Sequence, residues 1–218
     1  MKTLRLRLQP RDLPARSTAV AEDDLGVVLQ RSRSGDQKAM RTLLLSLGAP
    51  MLQVIRRVLG GRHPDVEDTL QEATIALVRA LGSFRGECSV RHFGCRIATL
   101  TAISTYRRRG DTRAESLSDH DDHDGRVGGG EGPSSDGGEQ VATMRRRQLV
   151  RRLLADLPDV QAEALALHCM AGFTVTELAG ATSVPRETAR SRLRLAKAAL
   201  RERIAADPAA AELLEDLP

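Results

Sequence analysis

From Pro185 to Leu200 the chain reads "PRETARSRLRLAKAAL", with arginine or lysine at positions 186, 190, 192, 194 and 197. On a helix, Arg186, Glu187, Arg190, Ser191 and Arg194 share one face, because residues three and four apart are neighbours. These are side chains that read a DNA groove: arginine grips guanine O6 and N7 or a phosphate, and glutamate accepts from cytosine N4. A solvated basic helix in a bundle would carry the same charges, so what precedes it matters. Thr174 and Glu177 have the spacing of a capping box, "VTELAGA" makes a short helix, "TSV" a turn, and Pro185 opens the second helix. A short capped helix, a three-residue turn and a second helix is the helix-turn-helix arrangement. Its inner face is expected to bring Val175, Leu178 and Ala179 against Val184, Ala189, Leu193 and Ala196.

A second chemical pattern lies in "HPDVEDTLQEATIALVRALGSF", from His63 to Phe84. Val66, Leu70, Ala73, Leu77 and Ala80 form an apolar stripe, and Asp65, Asp68, Glu72, Ile75 and Arg79 line the opposite side. First-turn acids complement the helix dipole; with an isoleucine among them they also suit a docking face for a partner. In "VRHFGCRIATLTAISTYRRRG", Val90, Phe93, Ile97 and Leu100 are read as buried. Arg91, Arg96 and the closing Arg107, Arg108 and Arg109 give a basic ridge able to follow phosphates. Cys88, His92 and Cys95 are ligand-type residues at steps of four and three, but no fourth ligand accompanies them, so they are read as small packing residues. No metal or cofactor is expected.

Positioning these groups needs helices. Trp is absent, and Phe84, Phe93, Tyr106 and Phe173 are the only aromatic residues in 218, which disfavours strands and points to an all-α fold. Two small domains are expected. Residues 24–109 read as about four helices, punctuated by Gly35, Gly48 and Gly60. Residues 144–204 hold the second block, where Leu149, Val150, Leu153, Leu154 and Leu157 form an apolar face, Pro158 opens a helix and Gly172 ends it. Between them, 110–143 is a Gly/Ser-rich acidic linker: residues 111 to 142 hold nine Asp or Glu against Arg113 and Arg126. Its "DHDDHD", with His120 and His123, is read as solvated linker rather than a metal site. The chain carries +4 overall, so the rest is strongly basic, a footprint for a polyanion.

Residues 1–23 are read as a disordered extension, rich in arginine like a transit peptide but without an apolar h-region, and 205–218 as a tail. No apolar run approaches the roughly 18–20 residues that span a bilayer, so no membrane insertion is expected and a cytoplasmic location is. Cys88, Cys95 and Cys169 suit a reducing compartment.

The run "DVEDTLQEATIALVRALGSFRGECSVRHFGCRIA" resembles the second conserved region of bacterial sigma factors of the extracytoplasmic-function (ECF) group. "LADLPDVQAEALALHCMAGFTVTELAGATSVPRETARSRLRLAKAALRERI" is similar to their fourth region. Two blocks in the right order cover nearly all of 24–204 apart from the linker. The resemblance implies a dissociable specificity subunit of RNA polymerase that is not an enzyme. Asp65, Asp68, Gln71, Glu72 and Ile75 would bind the clamp helices of the polymerase's largest subunit. Arg85, Glu87, Ser89, Arg91, His92, Arg96 and Thr99 would read and trap the single-stranded −10 element, and Arg186, Glu187, Arg190, Ser191, Arg192 and Arg194 would read the −35 duplex. It also implies a linker that threads toward the polymerase cleft, and an anti-sigma factor as a further partner. The chain departs from the family at Phe93, where a tryptophan is usual, at Leu100, Ser183 and Ala189, where asparagine, glycine and valine are common, and at Gly94 inside the −10 helix.

Two other functions fit parts of the sequence. A stand-alone helix-turn-helix regulator would bind its duplex site without polymerase. An enzyme acting on nucleic acid would need a metal-binding acidic cluster or a nucleophile and base in an ordered segment, and the sequence offers neither.

Overall fold

The computed structural model describes residues 22–61, 63–116 and 148–207. The expected N-terminal extension, the "DHDDHD" run with most of the linker, and the tail beyond Asp207 lie outside the described residues. Every regular element among the described residues is helical.

Helix α1, Glu22–Arg33, gives way to a turn at Gly35, whose φ of +90° suits glycine. Asp36 then starts α2, Gln37–Leu59, by accepting from the amides of Lys38 and Ala39 at 2.9 and 3.1 Å. Helix starts leave such donors without partners, and a side-chain oxygen supplies one. Gly48 does not punctuate this stretch as expected: α2 continues through both Gly48 and Pro50. Leu43, Leu47, Met51, Val54, Ile55 and Val58 are buried along it, and that packing overrides local penalties of about 1 kcal/mol for glycine and ~3 kcal/mol for proline.

By length and composition α2 is apolar enough to cross a membrane, contrary to the expectation from the sequence. It is instead the central helix of a bundle, packed against α1 and against two later helices, α3 (Val66–Ala80) and α4 (Val90–Ser116). A 3-10 turn at Leu81–Ser83 and a loop through residues 84–89 connect those two. Helix α4 runs on to Ser116, beyond Arg109 and into the segment expected to be linker.

The second block comprises α5 (148–155), α6 (Asp159–Cys169), α7 (Val175–Thr182) and α8 (Arg186–Ala206). Leu153, Leu154 and Leu157 are buried as expected, Pro158 precedes α6, and Gly172 turns the chain after it with φ +79°. In α6 six consecutive residues, Ala162 to Leu167, are buried. One helix face cannot hold six in a row; α6 is covered by α8 and also by α4 of the first block. Burial of α6 therefore joins the two blocks.

Candidate nucleic-acid interface

Thr174 starts α7 as a complete capping box: its hydroxyl accepts from the Glu177 amide at 3.2 Å while the Glu177 carboxylate accepts from the Thr174 amide at 2.7 Å. Burial alone would raise the Glu177 carboxyl, but the hydrogen bonds from Thr174 and the nearby His92 outweigh it and leave the carboxyl below its ordinary value. The turn after α7 passes through Ser183 at φ 53°, the only non-glycine residue with positive φ among the described residues. Leu178, Ala179, Ala189, Leu193 and Ala196 are buried between α7 and α8, as the helix-turn-helix reading required.

That packing leaves Arg186, Glu187, Arg190, Ser191 and Arg194 exposed along α8, with Arg192 half-buried at the edge. Arg190 donates to Glu187 at 2.8 Å, an exposed pair that a DNA phosphate or base can displace, since such pairs contribute little.

In the first block, Ser89 caps α4 by accepting from the His92 amide at 3.2 Å, and Phe93 packs on Phe84 with ring centroids 4.8 Å apart. Beside them lies an open pocket of about 420 Å³ lined by Leu29, Gln30, Arg33, Phe84, Arg85 and Ser89, among others. Arg33 is fixed at its rim by donating to the Gly82 carbonyl at 2.6 Å. Arg33 and Gln30 were missed in the sequence; they lie some fifty positions before the loop, and no local pattern ties them to it. Arg85 and Glu87 are exposed, Arg91 and His92 half-buried. Thr99 is placed differently from expectation: it is fully buried and its hydroxyl donates to the Cys95 carbonyl at 2.9 Å, so it has no surface to offer DNA. Cys88 precedes α4 rather than sharing its face with His92 and Cys95, and burial pushes the Cys95 thiol up to about 11.

The acidic stripe on α3 divides. Asp68, Gln71, Glu72 and Ile75 are exposed, Ile75 to 45%, and Val78 extends the apolar part of this surface. Asp65 is not free in the same way. Its carboxylate pairs with Arg109, and its amide donates to His63. Glu72 has a weaker tether, to Arg108 at 3.0 Å.

Several charged groups expected to face a ligand are engaged across the two blocks. Arg96 of α4 meets Glu163 of α6 at 2.6 Å. His92 lies 3.6 Å from Glu177 and against the Phe173 ring, centroids 4.4 Å apart. Arg107 donates to the carbonyls of Ala155 and Leu157 at 2.8 and 2.7 Å and pairs with Asp159; Arg57 donates to the Met170 carbonyl at 2.6 Å.

Comparison with known proteins matches both blocks. The family model for sigma-70 region 2 matches residues 44–112, and the model for sigma-70 region 4 matches residues 147–200. Over 179 residues the chain is 29% identical to the ECF RNA polymerase sigma-E factor of Escherichia coli strain K12, covering 82% of this chain and 93% of that one. It is also 29% identical to the RNA polymerase sigma-H factor of Pseudomonas aeruginosa, covering 79% and 90% respectively. In fold it resembles CnrH, solved in complex with the cytosolic domain of CnrY, with a TM-score of 0.51 at 21% identity over 83% of this chain and 97% of that one.

Proposed function

The chain belongs to the ECF group of the sigma-70 family, and from that membership we propose how its surfaces share the work of directing RNA polymerase to promoters and starting transcription. The observation that carries the reading is the pair of region models, in order, on two helical blocks that each present a basic reading surface.

The exposed face of α8 enters the major groove of the −35 duplex. Arg186, Arg190 and Arg194 supply phosphate and guanine contacts, Glu187 and Ser191 shorter ones, and Arg192 a contact at the edge of the groove. On the first block, Arg85, Glu87, Ser89, Arg91, His92 and Arg96 surround the start of α4, where the −10 strand is held single. The pocket beside Phe84 supports this assignment, because melting needs a place for an unstacked base and an aromatic or arginine plane to receive it. Thr99 takes no part. The protein makes and breaks no covalent bond in this reading; unpairing is driven by binding.

Asp68, Gln71, Glu72 and Ile75 dock on the clamp helices of the polymerase's largest subunit, acids around an isoleucine suiting a basic surface with an apolar centre. Asp65 contributes by holding Arg109 at the edge of that patch. An anti-sigma protein is the second partner that family membership brings, and the cytoplasm, where polymerase works, is the location it fits.

Run-off transcription with purified core polymerase, on promoters including the one upstream of the chain's own gene, tests the function. Initiation that depends on the chain is expected, whereas a stand-alone regulator would occupy duplex DNA unaided and leave core silent. In the same assay Asp68→Lys with Glu72→Lys should weaken core association at least about tenfold, the scale of reversing two contacts near 1 kcal/mol each. Normal association by that variant would remove the docking assignment.

A further inference from the structure

The two blocks meet across the reading surface of α4, and we infer that this contact is a lock, in which the C-terminal block holds the chain's own −10 reader shut until the blocks are drawn apart. The inference rests on the assignment of α4 to the −10 strand and α8 to the −35 duplex.

Geometry requires the blocks to separate. Positions −35 and −10 are roughly 25 base pairs apart, about 85 Å of B-DNA at ~3.4 Å per pair. Here Arg96 and Glu163 are 2.6 Å apart, and α8, with 21 residues, reaches only about 30 Å at 1.5 Å per residue. A chain closed in this way cannot place both readers at once. It leaves one open and covers part of the other: the arginines of α8 are exposed, while His92 and Arg96 are engaged with the second block.

The contact is also specific. Glu163 keeps only 9% of its side chain exposed, and the cation that such a carboxylate needs comes from the other block. Arg57 and Arg107 donate to carbonyls just beyond the ends of α6 and α5, where helix dipoles gather negative charge. The closest approach is at Gly180, inside α7. A Cβ there would lie 2.6 Å from the Glu87 carbonyl oxygen and 3.6 Å from the Cys88 Cβ. Alanine is the better helix residue by about 1 kcal/mol, so α7 itself has no use for this glycine, whereas the contact with Glu87 does. A reader that is open only a fraction of the time binds with its affinity reduced by that fraction, and core polymerase, by holding the blocks apart, removes the reduction.

The test uses the full chain without polymerase, carrying a dye pair at Leu45→Cys and Glu202→Cys, both exposed positions on different blocks. Gly180→Ala puts a methyl against the Glu87 carbonyl while favouring α7, and Glu163→Lys sets a cation beside Arg96. In each variant energy transfer between the dyes should fall, and affinity for a short fluorescein-labelled single DNA strand of mixed sequence should rise about tenfold, as expected for a reader open a tenth of the time in the wild type. Both variants should still support run-off transcription with core. Unchanged energy transfer in both would show that the lock does not form in solution, and lowered transfer without a gain in affinity would reduce it to packing. A wild-type chain giving no transcript with core would instead overturn the sigma-factor reading beneath it.

Discussion

Ser183 shows how one residue can carry a local cost for a global shape. Its φ of 53° places a Cβ where only glycine is at ease, a penalty of about 1–2 kcal/mol, offset in part by the extra chain entropy that glycine loses on folding. Ser183→Gly should therefore raise stability by about 1 kcal/mol in denaturant unfolding; an unchanged midpoint would mean the turn is not strained. Glu177 gives a pH signature. Its folded carboxyl lies below the ordinary value of 4.5, so its stabilising effect is complete above that pH and fades as pH falls through the lower folded value. Glu177→Gln keeps a capping side chain without the titration, so the stability difference between wild type and variant should shrink on acidification. A difference constant with pH would count against the charged cap. Both residues were identifiable in the sequence, Glu177 through its spacing from Thr174 and Ser183 as a non-glycine in a helix-turn-helix turn. The burial of Thr99 was not, because a threonine in an amphipathic run fits the wet and dry sides equally well.

At the level of elements, the apolar periods foretold most helices and the starts at Pro158, Thr174 and Pro185. They failed where packing outweighed a breaker: α2 passes through Gly48 and Pro50, and α4 continues past Arg109. Gly94 is a further breaker residue inside an intact helix. A Cβ there would meet Leu47 and Met51 side chains at 3.6 Å, ordinary contact distance, so nothing in the α2–α4 packing requires glycine. Gly94→Ala should accordingly stabilise the first block by up to about 1 kcal/mol from backbone entropy alone, measured by thermal or denaturant unfolding. Destabilisation would mean that the helices cannot yield the space. This glycine differs from Gly180, where the same substitution meets a carbonyl at 2.6 Å that cannot turn aside.

For the molecule as a whole, the arginines between the blocks couple two folding units. Arg107 binds the carbonyls of Ala155 and Leu157 and the Asp159 carboxylate, and about a third of its side chain is exposed. Arg107→Ala should remove about 1–3 kcal/mol, allowing for that exposure, and lower the calorimetric midpoint of the second block by several degrees. Equal midpoints for variant and wild type would show the blocks to be uncoupled. The sequence alone determined the helical class, the two blocks, the capped helix-turn-helix and the basic side of α8, because each follows from spacing within a few turns of one helix. The tertiary structure decided which charges are free: whether Arg96 faces DNA or Glu163, whether Asp65 faces a partner or Arg109, and which pocket Arg33 completes. Those are contacts between residues 30 to 70 positions apart, and no local period records which helix will come to lie against which.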